Sequence, residues 1–139
     1  QVAEEPQDLM DWGVLGATIG RMAGSYWEVP VIEGIEKIPS SDQLKHFGAA
    51  MASYGSVPLF HIVGITPECH KIGDVGGLGL GIKKVNNEAT HHLKQSFTAL
   101  GDSVDVVVFA APQLSIIEMS ELAALCNGRQ RSSKTDVIV

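Results

Sequence analysis

Two short apolar runs, each fed by a helical stretch and each leaving through a polar loop, set the class of fold open to this chain. The first is Val57-Pro-Leu-Phe-His-Ile-Val63, bounded by turn residues, which reads as a buried strand. Gly64 ends it, and Ile65-Thr-Pro-Glu68 follows as its exit loop. The second is Val104-Asp-Val-Val-Val-Phe-Ala110, whose β-branched and nearly continuous apolarity suits a parallel strand covered on both faces. Its exit loop is Ala111-Pro-Gln-Leu114. Ahead of the first run, Ser40-Ser-Asp-Gln43 forms a capping box, with Leu44, Phe47, Met51 and Tyr54 on one helix face and Gly55 as the stop. Ahead of the second, a helix from Asn86 to about Leu100 aligns Ala89, Leu93, Phe97 and Leu100. Ser115-Ile-Ile-Glu118 opens a further helix with Ile116, Met119, Leu122 and Ala123 inward, closed by Asn127-Gly128, and Val137-Ile-Val139 begins another strand. This alternation predicts an α/β fold: a layered, mostly parallel sheet with helices on both faces and right-handed crossovers.

Upstream, Asp8–Gly24 spaces Gly13, Gly16, Gly20 and Gly24 three or four residues apart beside an apolar stripe of Leu9, Trp12, Leu15 and Ile19. The stripe predicts a helix whose glycine face lies against another backbone or a ligand. A glycine-rich loop is the alternative, because each helical glycine costs about 0.8–1.0 kcal/mol relative to Ala and needs tertiary contacts to offset it. Gln1–Gln7 reads as a polar, frayed opening, Ser25–Pro39 as an extended, turn-rich stretch, and Cys69–Lys84 as a glycine-dense flap or ordered turn. Beginning at Gln1 and stopping just inside a strand, residues 1–139 are expected to form a single α/β segment of a longer chain.

With 139 residues, 45% of them hydrophobic, the chain can bury a core without covalent staples. Sixteen acidic against ten basic residues give a net charge of −6 and leave no Lys/Arg run, which argues against nucleic acid as a partner. No apolar stretch reaches the about 20 residues that a bilayer crossing needs, so no membrane partner is expected. Cys69 and Cys126 make no disulfide framework and fit a reducing, cytoplasmic setting.

The chemistry-bearing residues concentrate at the two exit loops, the edge where open α/β sheets bind ligands. Thr66 and Glu68 put a hydroxyl and a carboxylate at the first exit, able to hold a polar substrate or move a proton. His61 within the strand is either a hydrogen-bonded core histidine or a functional one. Ser115 is a helix cap whose position also suits a carboxylate or phosphate. Glu68-Cys-His70 groups three metal-ligand types, but adjacent residues seldom face one ion and no second Cys or His pair stands at zinc spacing, which argues against a metal held by this triplet alone. His91 and His92 diverge by about 100° on a helix and read as a solvated face, and Cys126 reads as a small buried hydrophobe. Gly73–Gly81 has the glycine density of a nucleotide loop, yet no strand runs into it and Ile82 stands where a phosphate loop needs Lys.

Asp11-Trp-Gly-Val-Leu-Gly16, Ala49–Glu68 (AAMASYGSVPLFHIVGITPE), and Val104–Ser115 followed by Glu118, Leu122 and Asn127-Gly-Arg129 together resemble the large-subunit catalytic region of the aconitase X family. The block Phe60–Glu68 is the most specific part of the likeness. The resemblance implies an iron-dependent hydro-lyase (a dehydratase) related to aconitase, acting on cis-3-hydroxy-L-proline or on mevalonate 5-phosphate, the former preferred because no Arg or Lys cluster accompanies the loops. It implies an iron or iron–sulfur centre whose ligands lie partly or wholly outside this segment, and a small swivelling region or small subunit as partner. Carried onto this sequence, Glu68 and Thr66 become the catalytic residues, and His61, Gly64, Thr66 and Ser115 the substrate-binding ones. Three positions depart from the family: relatives place Cys or Ser before the proline of the second exit loop and His after it, where this chain has Ala111 and Gln113, and a small residue at the end of the first loop, where Cys69 stands as a weak metal candidate. The rivals are a non-catalytic relative that binds a ligand or partner, and an unrelated flavodoxin-type module.

Overall fold

A computed structural model describes residues 1–97, 101 and 103–139. The chain divides into two compact units, residues 1–97 and 98–139.

The first unit is built on two packed helices, α1 (Leu9–Ala23) and α2 (Ser41–Gly55). Asp8 caps α1 by accepting the Asp11 N–H at 2.8 Å, and Gly24 ends it at φ 63°. Ser40 and Gln43 form the expected capping box on α2. Of the two readings of Asp8–Gly24, the helix is the one observed, and the glycines show why. An added Cβ at Gly20 would lie 2.6 Å from the Met51 carbonyl oxygen, and one at Gly16 or Gly55 would sit inside van der Waals contact with the Phe47 or Gly20 carbonyl. The glycines let the two backbones touch, and that contact offsets their poor helix propensity. Gly55 is therefore the last residue of α2 and not its stop. Ser56 takes the left-handed cap instead, at φ 56°.

Trp12, Leu15 and Ile19 of α1 and Phe47 and Met51 of α2 meet Val57, Ile62 and Ile32 in the main core. Phe47 stacks edge-on with Trp12 at 5.8 Å and with Phe60 at 4.9 Å between ring centroids. Beneath the helices, β1 (Val31–Ile32) pairs in parallel with β2 (His61–Ile62), Val31 opposite His61 and Ile32 opposite Ile62. β1 falls in the stretch that the sequence marks only as extended. The first predicted strand shortens to this pair, since Pro58 has no N–H to give a ladder. The opening residues are not frayed: Val2 is buried, bridges Val85, and donates its N–H to the Glu33 carbonyl at 2.8 Å. α3 (Asn87–Gln95), capped by Asn86, buries Leu93 against Val14 and Ala17 but leaves Ala89 and Phe97 exposed. Leu100, expected on the same face, lies outside the described residues. The glycine-dense stretch is an ordered turn: a 3₁₀ turn at Ile72–Val75, with Asp74 accepting the His70 and Lys71 N–H groups.

In the second unit β3 (Val106–Val108) pairs in parallel with β4 (Asp136–Ile138), and α4 (Ile116–Cys126) connects them. The α/β character is as expected, but the parallel strands form two two-stranded sheets. Three expectations from the sequence are corrected here. Val106 and Val108 are exposed, as are Ile116 (80%), Met119 and Ala123, with Leu122 only partly covered, and the buried residue of α4 is Glu118. Cys126 is likewise exposed and not a buried hydrophobe. One helix on two strands is too little material to cover both faces of either element.

One long-range ion pair ties α1 to α3: Lys94 Nζ lies 2.7 Å from Asp11 Oδ1. It holds the Asp11 carboxyl below its usual range and Lys94 above its own. The Asp11 contribution is present above the unfolded-state value, around pH 4, and is lost as pH falls through the lowered folded value; the Lys94 contribution is present below its unfolded value and lost as pH rises through the raised one. Lys94→Met is expected to lower the melting temperature slightly at neutral pH, because the pair is partly exposed. It is also expected to flatten the loss of stability between neutral pH and pH values below about 4. Thermal melts across that range check it, and an unchanged acid arm would contradict it.

Candidate functional site

The exit of β2 is a turn closed by its own backbone. Ile62 points into the core with no exposure, so the alternating strand turns His61 to the opposite face. Gly64 sits at φ 75° with open space where a Cβ would be, so the left-handed backbone is what calls for glycine there. The chain then folds back: the Ile65 and Thr66 N–H groups bond the Ile62 carbonyl at 3.1 and 3.0 Å, the Cys69 N–H bonds the Thr66 carbonyl at 3.0 Å, and the Gly64 N–H bonds the Cys69 carbonyl at 2.8 Å. Thr66 Oγ1 accepts the Ile62 N–H at 3.1 Å and donates to the Ile62 carbonyl at 3.2 Å, clamping the turn to the strand.

The product of this folding is a contact between the ends of the turn. His61 Nδ1 lies 2.7 Å from Glu68 Oε1. The His61 side chain is 14% exposed and that of Glu68 50%. Glu68 is held below the usual carboxylate range, first by its own backbone N–H and then by the His61 ring. A glutamate so placed is an anion able to orient an imidazole or to receive a cationic or hydroxyl group. Sequence reasoning assigned His61 and Glu68 separate roles and missed their pairing. The one signal for it was Gly64, a turn residue that lets positions seven apart meet.

Cys69 follows Glu68 but turns inward. It is fully buried, its Sγ lies 3.9 Å from the Lys71 carbonyl, and burial pushes its thiol up, away from the thiolate that binds metals. Among the described residues no group of three His, Cys, Asp or Glu side chains could hold a metal ion. The donor set present here therefore does not fit an iron centre.

Ser115 belongs to the second unit. Its Oγ accepts the Glu118 N–H at 3.2 Å, and its own N–H donates to Glu118 Oε2 at 2.7 Å, the capping box expected from sequence. In the loop before it, Ala111 holds φ 55°, a left-handed conformation unusual for a residue with a Cβ. In the first unit, two cavities of about 470 and 560 Å³ have no residue of the His61–Glu68 turn in their lining, one beside Asp11, His91 and Lys94, the other beside Ile19, Val31 and Leu80.

Comparison with known proteins gives a consistent picture. The family model described as "Aconitase X second domain" matches residues 1–95. Cis-3-hydroxy-L-proline dehydratase of Hypocrea jecorina is 39% identical over 132 residues, covering 91% of this chain and 22% of that protein. Phosphomevalonate dehydratase large subunit of Methanosarcina mazei is 30% identical over 125 residues, covering 90% of this chain and 29% of that protein. The crystal structure of Thermococcus kodakaraensis aconitase X in its holo-form superposes with a TM-score of 0.78 at 26% identity, over 98% of this chain and 34% of that one. The chain thus spans between about a fifth and a third of the length of these relatives. Among the described residues, no helix is long and apolar enough to cross a membrane.

Proposed function

Since the chain belongs to the aconitase X family, we propose that it is a section of a hydro-lyase that removes water from a small hydroxy acid, with cis-3-hydroxy-L-proline as substrate. The observation that carries the substrate choice is the higher identity to the Hypocrea jecorina dehydratase. Mevalonate 5-phosphate is the alternative. Elimination next to a carboxylate needs a group that takes the proton, a group that helps the hydroxide leave, and donors that hold the carboxylate. The turn at 61–68 supplies ionisable groups for the first task. Thr66 and Gly64 shape that turn; in the second unit Ser115, at the start of α4, is by itself a candidate for binding a carboxylate. An iron or iron–sulfur centre is proposed for the whole enzyme, with ligands outside the described residues of this chain. A small region or subunit is its proposed partner, and the cytoplasm its proposed location. Ala111 and Gln113 favour one second reading, a relative that binds without turning over.

The test is steady-state turnover of both substrates by the full-length enzyme, prepared anaerobically with iron. The expected result is a kcat/KM at least about tenfold higher for cis-3-hydroxy-L-proline, the size of a difference of about 1.4 kcal/mol. A reversed preference would select the phosphorylated substrate. No turnover of either by an intact, iron-bearing enzyme would select the binding-only relative.

A further inference from the structure

The short contact between His61 and Glu68 assigns roles that residue types alone do not. We propose that His61 is the proton-accepting residue of the turn, acting through Nε2, and that Glu68 is its positioning residue. The inference deepens the dehydratase reading and rests on it.

The hydrogen-bond chemistry sets the direction. An ionised carboxylate only accepts, so the 2.7 Å bond to Glu68 Oε1 requires the hydrogen on His61 Nδ1. In the neutral ring Nε2 then carries the lone pair, and a base oriented by a third group is the arrangement that proton-transfer sites use. The mounting agrees. His61 stands on a strand whose N–H is fixed to the Pro30 carbonyl at 3.0 Å and whose next residue, Ile62, is locked in the core. Glu68 stands on the loop and is half exposed. Geometry needed for proton transfer is better held from a strand than from a loop. The depressed acidity range of Glu68 points the same way, because a carboxylate held low is a poorer proton acceptor and a better permanent anion.

The step balances. The C–H bond on the carbon bearing the carboxylate breaks toward Nε2, its electron pair forms the C=C bond, and the neighbouring C–O bond breaks as hydroxide leaves. The imidazolium, its charge matched by Glu68, returns its proton to hydroxide or solvent, so the net loss is one water.

His61→Asn separates the roles, because the Asn amide nitrogen replaces Nδ1 as a donor to Glu68 while nothing replaces Nε2. In the full-length, iron-loaded enzyme acting on cis-3-hydroxy-L-proline, His61→Asn is expected to lower kcat by about 10³-fold with KM within about threefold, whereas Glu68→Gln lowers kcat by about 10- to 100-fold. A ranking in which Glu68→Gln costs as much as His61→Asn, or more, overturns the assignment and makes the glutamate the base. Nitrogen NMR of histidine-labelled enzyme gives a second reading that needs no turnover: His61 is expected with Nδ1 protonated and Nε2 bare, and the opposite tautomer overturns the proposal. A wild type inactive on both substrates counts against the dehydratase reading itself. An active wild type with the wrong ranking counts against this assignment alone.

Discussion

Gly55→Ala is expected to destabilise the first unit by about 3 kcal/mol, the upper end of what overpacking usually costs. In an ordinary helix the same substitution would stabilise by up to about 1 kcal/mol through propensity. Here the new methyl would press on the Gly20 carbonyl of α1, a backbone group that cannot rotate away. The helices would have to separate, and Trp12, Phe47 and Met51 would lose contacts with them. Gly13→Ala is the internal control. It lies in α1, and a Cβ there meets nothing within 4 Å, so it is expected to leave stability unchanged or raise it. Chemical denaturation of the two variants checks the contrast, and equal stabilities would contradict the close approach of α1 and α2.

Phe47→Ala is expected to cost about 3–5 kcal/mol, as for other fully buried aromatic side chains. Phe47 has no exposure and stacks against both Trp12 and Phe60, so its removal opens a cavity that rigid rings on either side cannot refill. The damage should reach the site, since Phe60 directly precedes His61. A variant with lowered stability and weakened turnover is expected. A loss below about 1 kcal/mol in the denaturation midpoint would show that the ring is not central to the core.

The helices were legible because their signals are local. Ser40 and Ser115 cap where their capping boxes predict, and Asp8 and Asn86 cap the two helices that the apolar stripes mark. The sheets were less so. Val31–Ile32 lacks a run long enough to announce a strand, and pairing with His61–Ile62 comes from contacts far apart in sequence. Gly55 illustrates a deeper limit: as a residue it looks like a helix stop, but its use is to admit the Gly20 carbonyl, which only the packed structure shows. At the candidate site, His61, Thr66 and Glu68 were readable as residue types at the strand exit, while their contacts with one another and with the backbone were not. Thr66 spends its hydroxyl on the Ile62 backbone, and Glu68 reaches back to His61, both consequences of how the turn closes.

The central claim is that this turn belongs to an enzyme that removes water from cis-3-hydroxy-L-proline. It is tested most directly by incubating the full-length, iron-bearing enzyme with cis-3-hydroxy-L-proline in deuterated water and following substrate and product by proton NMR. The account predicts conversion of the substrate to its dehydrated product by the wild type, slowed by about a thousandfold in His61→Asn. Substrate left unchanged by an intact wild-type enzyme would contradict it.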